Sequence, residues 1–155
     1  MQLPRRLVAP IVGLRSGRSH TRRPLQVRRA SERPLPADGM RLLVERRWPP
    51  GLSKERVAVD LWLRDAAPSD ALVRACAKDP ARWAEFIDRY RAELVAHGDL
   101  LQIVDELRCR GPVTLLHTGG DVAHNSAAAL REILDDRAAM AQEGPAQEER
   151  SHRKA

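Results

Sequence analysis

Apolar and polar positions along the chain change period several times, and each change marks an element. Residues 42–44 are an unbroken apolar run inside the stretch from Met40 to Glu45. A short continuous run of this kind, opened by Gly39 and followed by Pro49-Pro50-Gly51, predicts a strand buried on both faces, as in a parallel sheet. Proline cannot donate into a ladder, so the chain must leave the sheet at 49–51. Residues 26–30 predict a short earlier strand, joined to the second by a loop holding Pro34 and Pro36. Residues 113–118, β-branched at their start, predict a third strand. Between the second and third strands the period becomes helical. Asp79 caps and Pro80 takes the first helical position, where its missing N–H costs nothing. Trp83, Phe86, Ile87, Tyr90 and Leu94 then share one face, and Gly98 closes the helix. Asp99 is expected to cap a second helix carrying Leu100, Ile103, Val104 and Leu107, with Gln102 reaching back as in a capping box, until Gly111-Pro112 breaks it. Ser53 caps a short turn over 54–56, and Asn125 starts a last helix through Leu130, Ile133 and Leu134.

Strands alternating with helices predict a small three-layer α/β domain with a mainly parallel sheet flanked by helices. The second and third strands form its central pair. If they run parallel, their carboxyl ends bring Arg46, Trp48, His117 and the Gly119-Gly120 loop together, at the crevice where open α/β sheets bind ligands. The domain is expected over residues 25–140. Residues 1–24, rich in Arg, Ser and Pro, are expected to be a disordered basic tail or the product of a start codon set too far upstream; they also have the acid-free, Arg-rich composition of an organellar transit peptide. Residues 141–155 are polar and charged and are expected to be a disordered tail. No internal repeat is present.

Composition changes this picture in two places. Hydrophobic residues make up 43% of the chain but aromatics only 3%, so the core must be built from Leu, Val, Ile and Ala. The net charge of +6 invites a nucleic-acid reading, yet residues 1–31 hold eight arginines and no acid, and the remainder carries a net charge of −2. The basicity belongs to the amino-terminal stretch, so contact with nucleic acid is expected only through that tail. Cys76 and Cys109 form no CxxC pair and have no partner histidine motif, so they read as buried thiols of a cytoplasmic protein, and no metal is expected. No apolar run approaches the roughly 20 residues of a membrane span, and no motif names a cofactor.

Each candidate residue has two readings. Arg46, at a strand end, is either a fork for a carboxylate or phosphate or an internal partner, for example of Glu93. Arg47 reads as exposed. Trp48 is either a stacking platform for a base or sugar or a packing plug under the proline loop. His117, with Asp121 and His124 close behind it, has the elements of a general base held by a carboxylate, or of a metal site whose spacing matches no known signature. Gly119-Gly120 before a helix can cradle an anion on free amides and the helix dipole or can be a simple turn; Asn125 most simply caps the helix. No Gly-x-Ser-x-Gly and no Gly-x-Gly-x-x-Gly occurs, which argues against a hydrolase elbow or a dinucleotide fingerprint.

The block GMRLLVERRWPPG at 39–51 resembles the pattern G-x-R-[IV]-L-V-D-R-L-W-P-R-G of the domain of unknown function 488 family, in its YeaO-like bacterial branch. Further carriers are Ala67-Pro68-Ser69, Trp83 to Phe86, Tyr90, Glu93-Leu94, Thr114 to Leu116, and Asn125 with Ala127, so the resemblance runs over about residues 26–136. It implies a small cytoplasmic bacterial α/β domain with no activity to transfer. The chain departs from the pattern at Pro50, where an arginine is usual, at His117, where an aromatic is usual, near Gly120, where a lysine is usual, and at Ser126, where a histidine is usual. These departures leave two expectations open. One is a small anionic ligand, a phosphorylated metabolite or nucleotide, bound by Arg46, Trp48, Gly119, Gly120 and Asn125 with His117 as an acid–base group. The other is a non-enzymatic interaction protein whose Arg-rich tail contacts nucleic acid or an acidic partner.

Overall fold

The structure is a computed structural model that describes residues 22–76, 79–119 and 121–152, with side chains described as far as residue 142. Four strands form one sheet: β1 (Gln26–Arg29), β2 (Met40–Leu43), β3 (Leu61–Trp62) and β4 (Val113–His117). The order is β1-β4-β2-β3, and every pairing is parallel. The expected central pair is the observed one: Met40 stands opposite Val113 and Leu43 opposite Leu116. Hydrogen bonding continues one step past each strand, from Val44 N to Leu116 O at 3.0 Å and from Ala30 N to His117 O at 2.8 Å.

Side chains alternate between the faces of a strand. Leu42, Val44, Val113 and Leu115 face the main core, shared with Leu72, Phe86, Ile87, Tyr90, Leu94, Leu101, Val104, Leu130 and Leu134. These residues come from helices α2 (Asp70–Cys76), α3 (Trp83–Leu94), α4 (Gly98–Arg110) and α5 (Ser126–His152). Leu43 and Leu116 face a smaller cluster with Ala30 and Val57, closed by Trp48, Leu52, Val59 and Trp62. That side is covered by the one-turn helix α1 (Lys54–Val57) and by loops. The domain therefore has the expected three layers, one of them thin.

Several local expectations are corrected. The two-residue strand β3 escaped a period-based reading because it is too short to alternate. Helix α2 carries Cys76 but opens on Ser69, whose hydroxyl accepts from Leu72 N at 3.2 Å, a cap hidden behind Pro68. Asp79 accepts from Ala81 N at 3.0 Å as expected, but it opens a tight turn ahead of α3. The Asp99 capping box does not form: Gly98 takes helical angles, the chain stays helical through it, and Gln102 bonds Glu106 instead. In α4 Leu101, Val104 and Arg108 are buried and Ile103 is exposed. Cys76 is in the core, but Cys109 is only half-buried. The backbone of α5 is helical to His152. The stretch 141–152 is rich in Ala, Gln and Glu, all good helix formers. The basic stretch 1–21 lies outside the described residues.

At the amino ends of the strands Gly39 has φ +61°, and a β-carbon there would stand 2.1 Å from Pro112 O. Only glycine permits both the left-handed turn and this approach. Asp38 beside it is buried and accepts from Arg41 Nη1 at 2.6 Å, Arg28 Nη1 at 2.8 Å and Leu35 N at 2.9 Å.

Candidate functional site

The carboxyl ends of β2 and β4 lie side by side because the two strands are parallel neighbours, so the polar residues following each strand meet there. Most are bonded to one another or to backbone. Glu45 Oε1 accepts from Thr118 N and Thr118 Oγ1, both at 2.9 Å, tying the end of β2 to the turn after β4. Ser126 Oγ donates to Val44 O at 2.8 Å and joins the start of α5 to the same place. Neither Glu45 nor Thr118 was singled out in the sequence, and Ser126 only as a departure from the family pattern; the role of each depends on a contact across more than 70 positions.

Arg46 lies at the strand end, as expected. Its Nε donates to Pro68 O at 2.9 Å and its Nη2 to Ala67 O at 3.0 Å. The fork expected for a carboxylate or phosphate thus holds the turn that leads into α2. Glu93 is not its ion-pair partner; it accepts from Ser69 N at 2.9 Å and from the Ser69 hydroxyl. Tyr90 donates its hydroxyl to Ala66 O, and burial raises its phenol above the usual range. Arg46, the 67–69 block, Tyr90 and Glu93 are therefore one structural corner. Arg47 is exposed and pairs with Asp70 at 3.0 Å.

Trp48 donates its indole N–H to Leu52 O at 2.6 Å and meets Trp62 edge-on, with ring centroids 5.6 Å apart. It closes the thin layer as a plug. Asn125 caps α5: its Oδ1 accepts from Ala128 N at 2.8 Å while its amide donates to Asp121 O and Val122 O. Gly120 lies outside the described residues.

His117 is different. By alternation it shares the face of Val113 and Leu115, the face on which α5 lies, and it is only 1% exposed. Its Nδ1 is buried and has no hydrogen-bond partner. Burial and the nearby Arg29 push its pKa below the ordinary value of 6.5, against smaller opposing effects of the Gly119 backbone and Glu32. The shift favours the neutral form of the ring. It does not join Asp121 and His124, which pair with each other at 3.0 Å, with His124 edge-on to Trp83. The pairing with His124 helps hold the Asp121 carboxyl below its usual pKa. Among the described residues no three His, Cys, Asp or Glu side chains are grouped to hold a metal ion, and no described helix is long and apolar enough to cross a membrane.

Fold and site together define a small parallel α/β domain with a polar, largely self-bonded strand-end crevice. The family model described as "Inactive DUF488-N3 subclade" matches residues 24–153, and the chain belongs to that family. It is 36% identical over 113 residues to "Uncharacterized protein Rv3073c" of Mycobacterium tuberculosis (strain ATCC 25618 / H37Rv), covering 73% of this chain and 95% of that one. It is 31% identical over 110 residues to "Uncharacterized protein YeaO" of Escherichia coli (strain K12), covering 71% of this chain and 96% of that one. No solved structure matches significantly.

Proposed function

We propose that this domain is a non-catalytic cytoplasmic binding module that takes a small anionic ligand, a phosphorylated metabolite or nucleotide, at the carboxyl ends of β2 and β4. The observation that carries the reading is His117, a buried ring at the end of a central strand, with one nitrogen unpaired beside Gly119 and the start of α5. Strand ends are the usual ligand position in such sheets, and a helix amino terminus favours negative charge. Binding without chemistry is supported by the self-bonded state of the other polar groups: Arg46, Glu45, Ser126 and Asn125 are occupied in holding turns. The description of the family as inactive points the same way. In this reading Arg46 and Trp48 shape the crevice, while Gly119 and His117 meet the ligand.

The test is a thermal-shift screen of the full chain against nucleotides, sugar phosphates and small carboxylates. A ligand that binds only the native state at 100 times its dissociation constant adds about 2.7 kcal/mol of stability. A shift from one anionic class, retained when residues 1–21 are removed, supports the reading. No shift from any of them in a cooperatively melting protein overturns it.

The charge asymmetry favours a second reading, in which the arginines ahead of β1 contact nucleic acid or an acidic partner. Part of that charge is already spent within the fold, since Arg28 pairs with Asp38 and Glu32 and Arg22 lies 3.8 Å from Asp105. Under this reading, binding disappears with residues 1–21 and weakens steeply with salt.

A further inference from the structure

The two edges of the sheet are finished differently. At the β1 edge the chain blocks itself: Glu32 Oε1 accepts from Arg29 N at 3.0 Å and Glu32 N donates to Arg29 O at 3.1 Å. At the other edge, β3 has β2 as its one neighbour among the described residues. Leu63 N donates to Leu43 O at 2.8 Å. Successive residues of a strand turn their backbone groups to opposite edges, so the N–H and C=O of Trp62 face away from β2. The indole leaves them uncovered, because its N–H is drawn to Glu45 O at the end of β2. Open backbone groups on an edge invite pairing with another chain, and proteins often guard them with charged side chains, lysine above all. Charges of one sign repel a second copy. Here both signs are present: the edge reads Asp60-Leu61-Trp62-Leu63-Arg64, a mirror image about Trp62 with an acid at one end and a base at the other.

We infer that β3 is a dimerisation edge whose partner is the β3 of a second copy of this chain, paired antiparallel about a two-fold axis at Trp62. In that register the two Trp62 residues stand opposite each other and exchange both backbone hydrogen bonds. Asp60 of each copy stands opposite Arg64 of the other, and Leu61 opposite Leu63. Directly opposed residues share a face of the sheet, so both ion pairs form on the thin-layer side together with Trp62. The side chains are disposed for this. Arg64 is exposed, and its guanidinium lies 5.7 Å from the centroid of the Trp62 ring, close to the axis. Asp60 Oδ2 accepts from Arg41 N at 2.9 Å, which leaves Oδ1 to take the arginine. Trp48, Leu52, Val59 and Trp62 are only partly buried on that side. The axis brings two such apolar patches together and thickens the layer that is thin in one copy. It also joins two four-stranded sheets into one and secures a two-residue strand from both sides. The pairing needs no ligand and is independent of the anionic-ligand reading.

The test is sedimentation equilibrium of the full-length chain from about 1 to about 500 μM, a range that spans ordinary micromolar association. The expected result is a reversible equilibrium between monomer and dimer. Hydrogen exchange is followed at the Trp62 amide, which should exchange more slowly at the high end of the range because only the dimer bonds it. Arg64→Asp sets two carboxylates opposite each other at both ends of the paired edge. Arg64 is exposed, so the variant should still melt cooperatively, yet dimerise at least about tenfold more weakly. Arg64→Lys keeps the charge and should keep the dimer. A chain that stays monomeric at the highest concentration overturns the inference. So does a dimer that Arg64→Asp leaves as tight as before. A dimer whose Trp62 amide exchanges as fast as in the monomer also overturns it and places the interface on another surface; that measurement needs only the unaltered chain.

Discussion

The two ends of the sheet are built on different terms. At the amino ends, the buried Asp38 and Arg41 are matched to partners: Asp38 takes three donors, Arg41 also gives its Nε to Val57 O at 3.0 Å, and Thr114 Oγ1 reaches Asp38 O at 2.8 Å. The chain there passes through a glycine that touches the neighbouring loop. At the carboxyl ends the turns are also tied down, but His117 Nδ1 has no partner. A closed network has nothing to offer a ligand, and removing any member leaves a buried charge unpaired. An open polar atom costs stability and is useful only if something arrives to meet it. The first end is framework; the second has spare chemistry.

The strongest test of this contrast is at Gly39. Gly39→Ala drives a methyl into Pro112 O and strains a positive φ, so the loss should exceed about 4 kcal/mol, the range of exceptional substitutions, and soluble folded protein should be scarce. Near-normal urea unfolding of this variant would refute the tight approach of the two loops.

Next comes Asp38→Asn. It leaves Arg41, 3% exposed, without its charge partner, and breaking one side of a buried pair costs about 3–5 kcal/mol. Burial opposes the Asp38 carboxylate, but the Leu35 amide, Arg28 and Arg41 together outweigh it and hold its pKa below the ordinary 3.8. A lowered folded pKa means that the stabilisation is present above the unfolded value and is lost as pH falls through the folded one. The gap between wild type and variant should therefore be widest near neutral pH and narrow below about pH 4. A gap that is constant from pH 7 to 3 would remove Asp38 from the account of acid stability.

A smaller effect separates the two roles of Arg46. If the guanidinium holds the turn into α2, Arg46→Ala should cost about 1–3 kcal/mol in chemical denaturation, as the carbonyls of Ala67 and Pro68 lose their donors. If Arg46 were chiefly an anion anchor, the variant would keep its stability and lose only binding.

What could be read in the sequence followed from locality. The second strand, the helix through Phe86 and Tyr90 and the Asn125 cap are set by neighbours a few positions apart, so period and capping chemistry revealed them. β3 is two residues long and exists because β2 offers it an edge. The Asp99 cap failed because a helix can run through Gly98 when its next turn is buried by Leu101 and Val104. At the site, the position of Arg46 and His117 at strand ends followed from topology. What each side chain does there did not, because Pro68 and Glu45 reach their partners across 22 and 73 positions. The one available signal was the Ala67-Pro68-Ser69 block recurring with Tyr90 and Glu93, which proved to be a packing corner.

The smallest expected effect bears most directly on the open end of the sheet. His117→Phe replaces a buried ring carrying an unpaired nitrogen with one that needs no partner. Removing the unpaired group should return part of the roughly 1–3 kcal/mol it costs, so the variant should be more stable than wild type by about 1 kcal/mol in urea. The pH dependence gives a second handle. Burial, followed by Arg29, lowers the His117 pKa from 6.5, so the unfolded chain binds this proton more readily than the native one. Wild-type stability should then decline as pH falls from about 6.5 toward the folded pKa, and the variant should lose that part of the decline, widening its advantage at pH 5. A stability gain together with lost anion affinity would mean that the wild type keeps a strained group for binding. A His117→Phe protein that is less stable than wild type at both pH 8 and pH 5 would show that the ring is packed as framework, and would erase the difference between the two ends of the sheet.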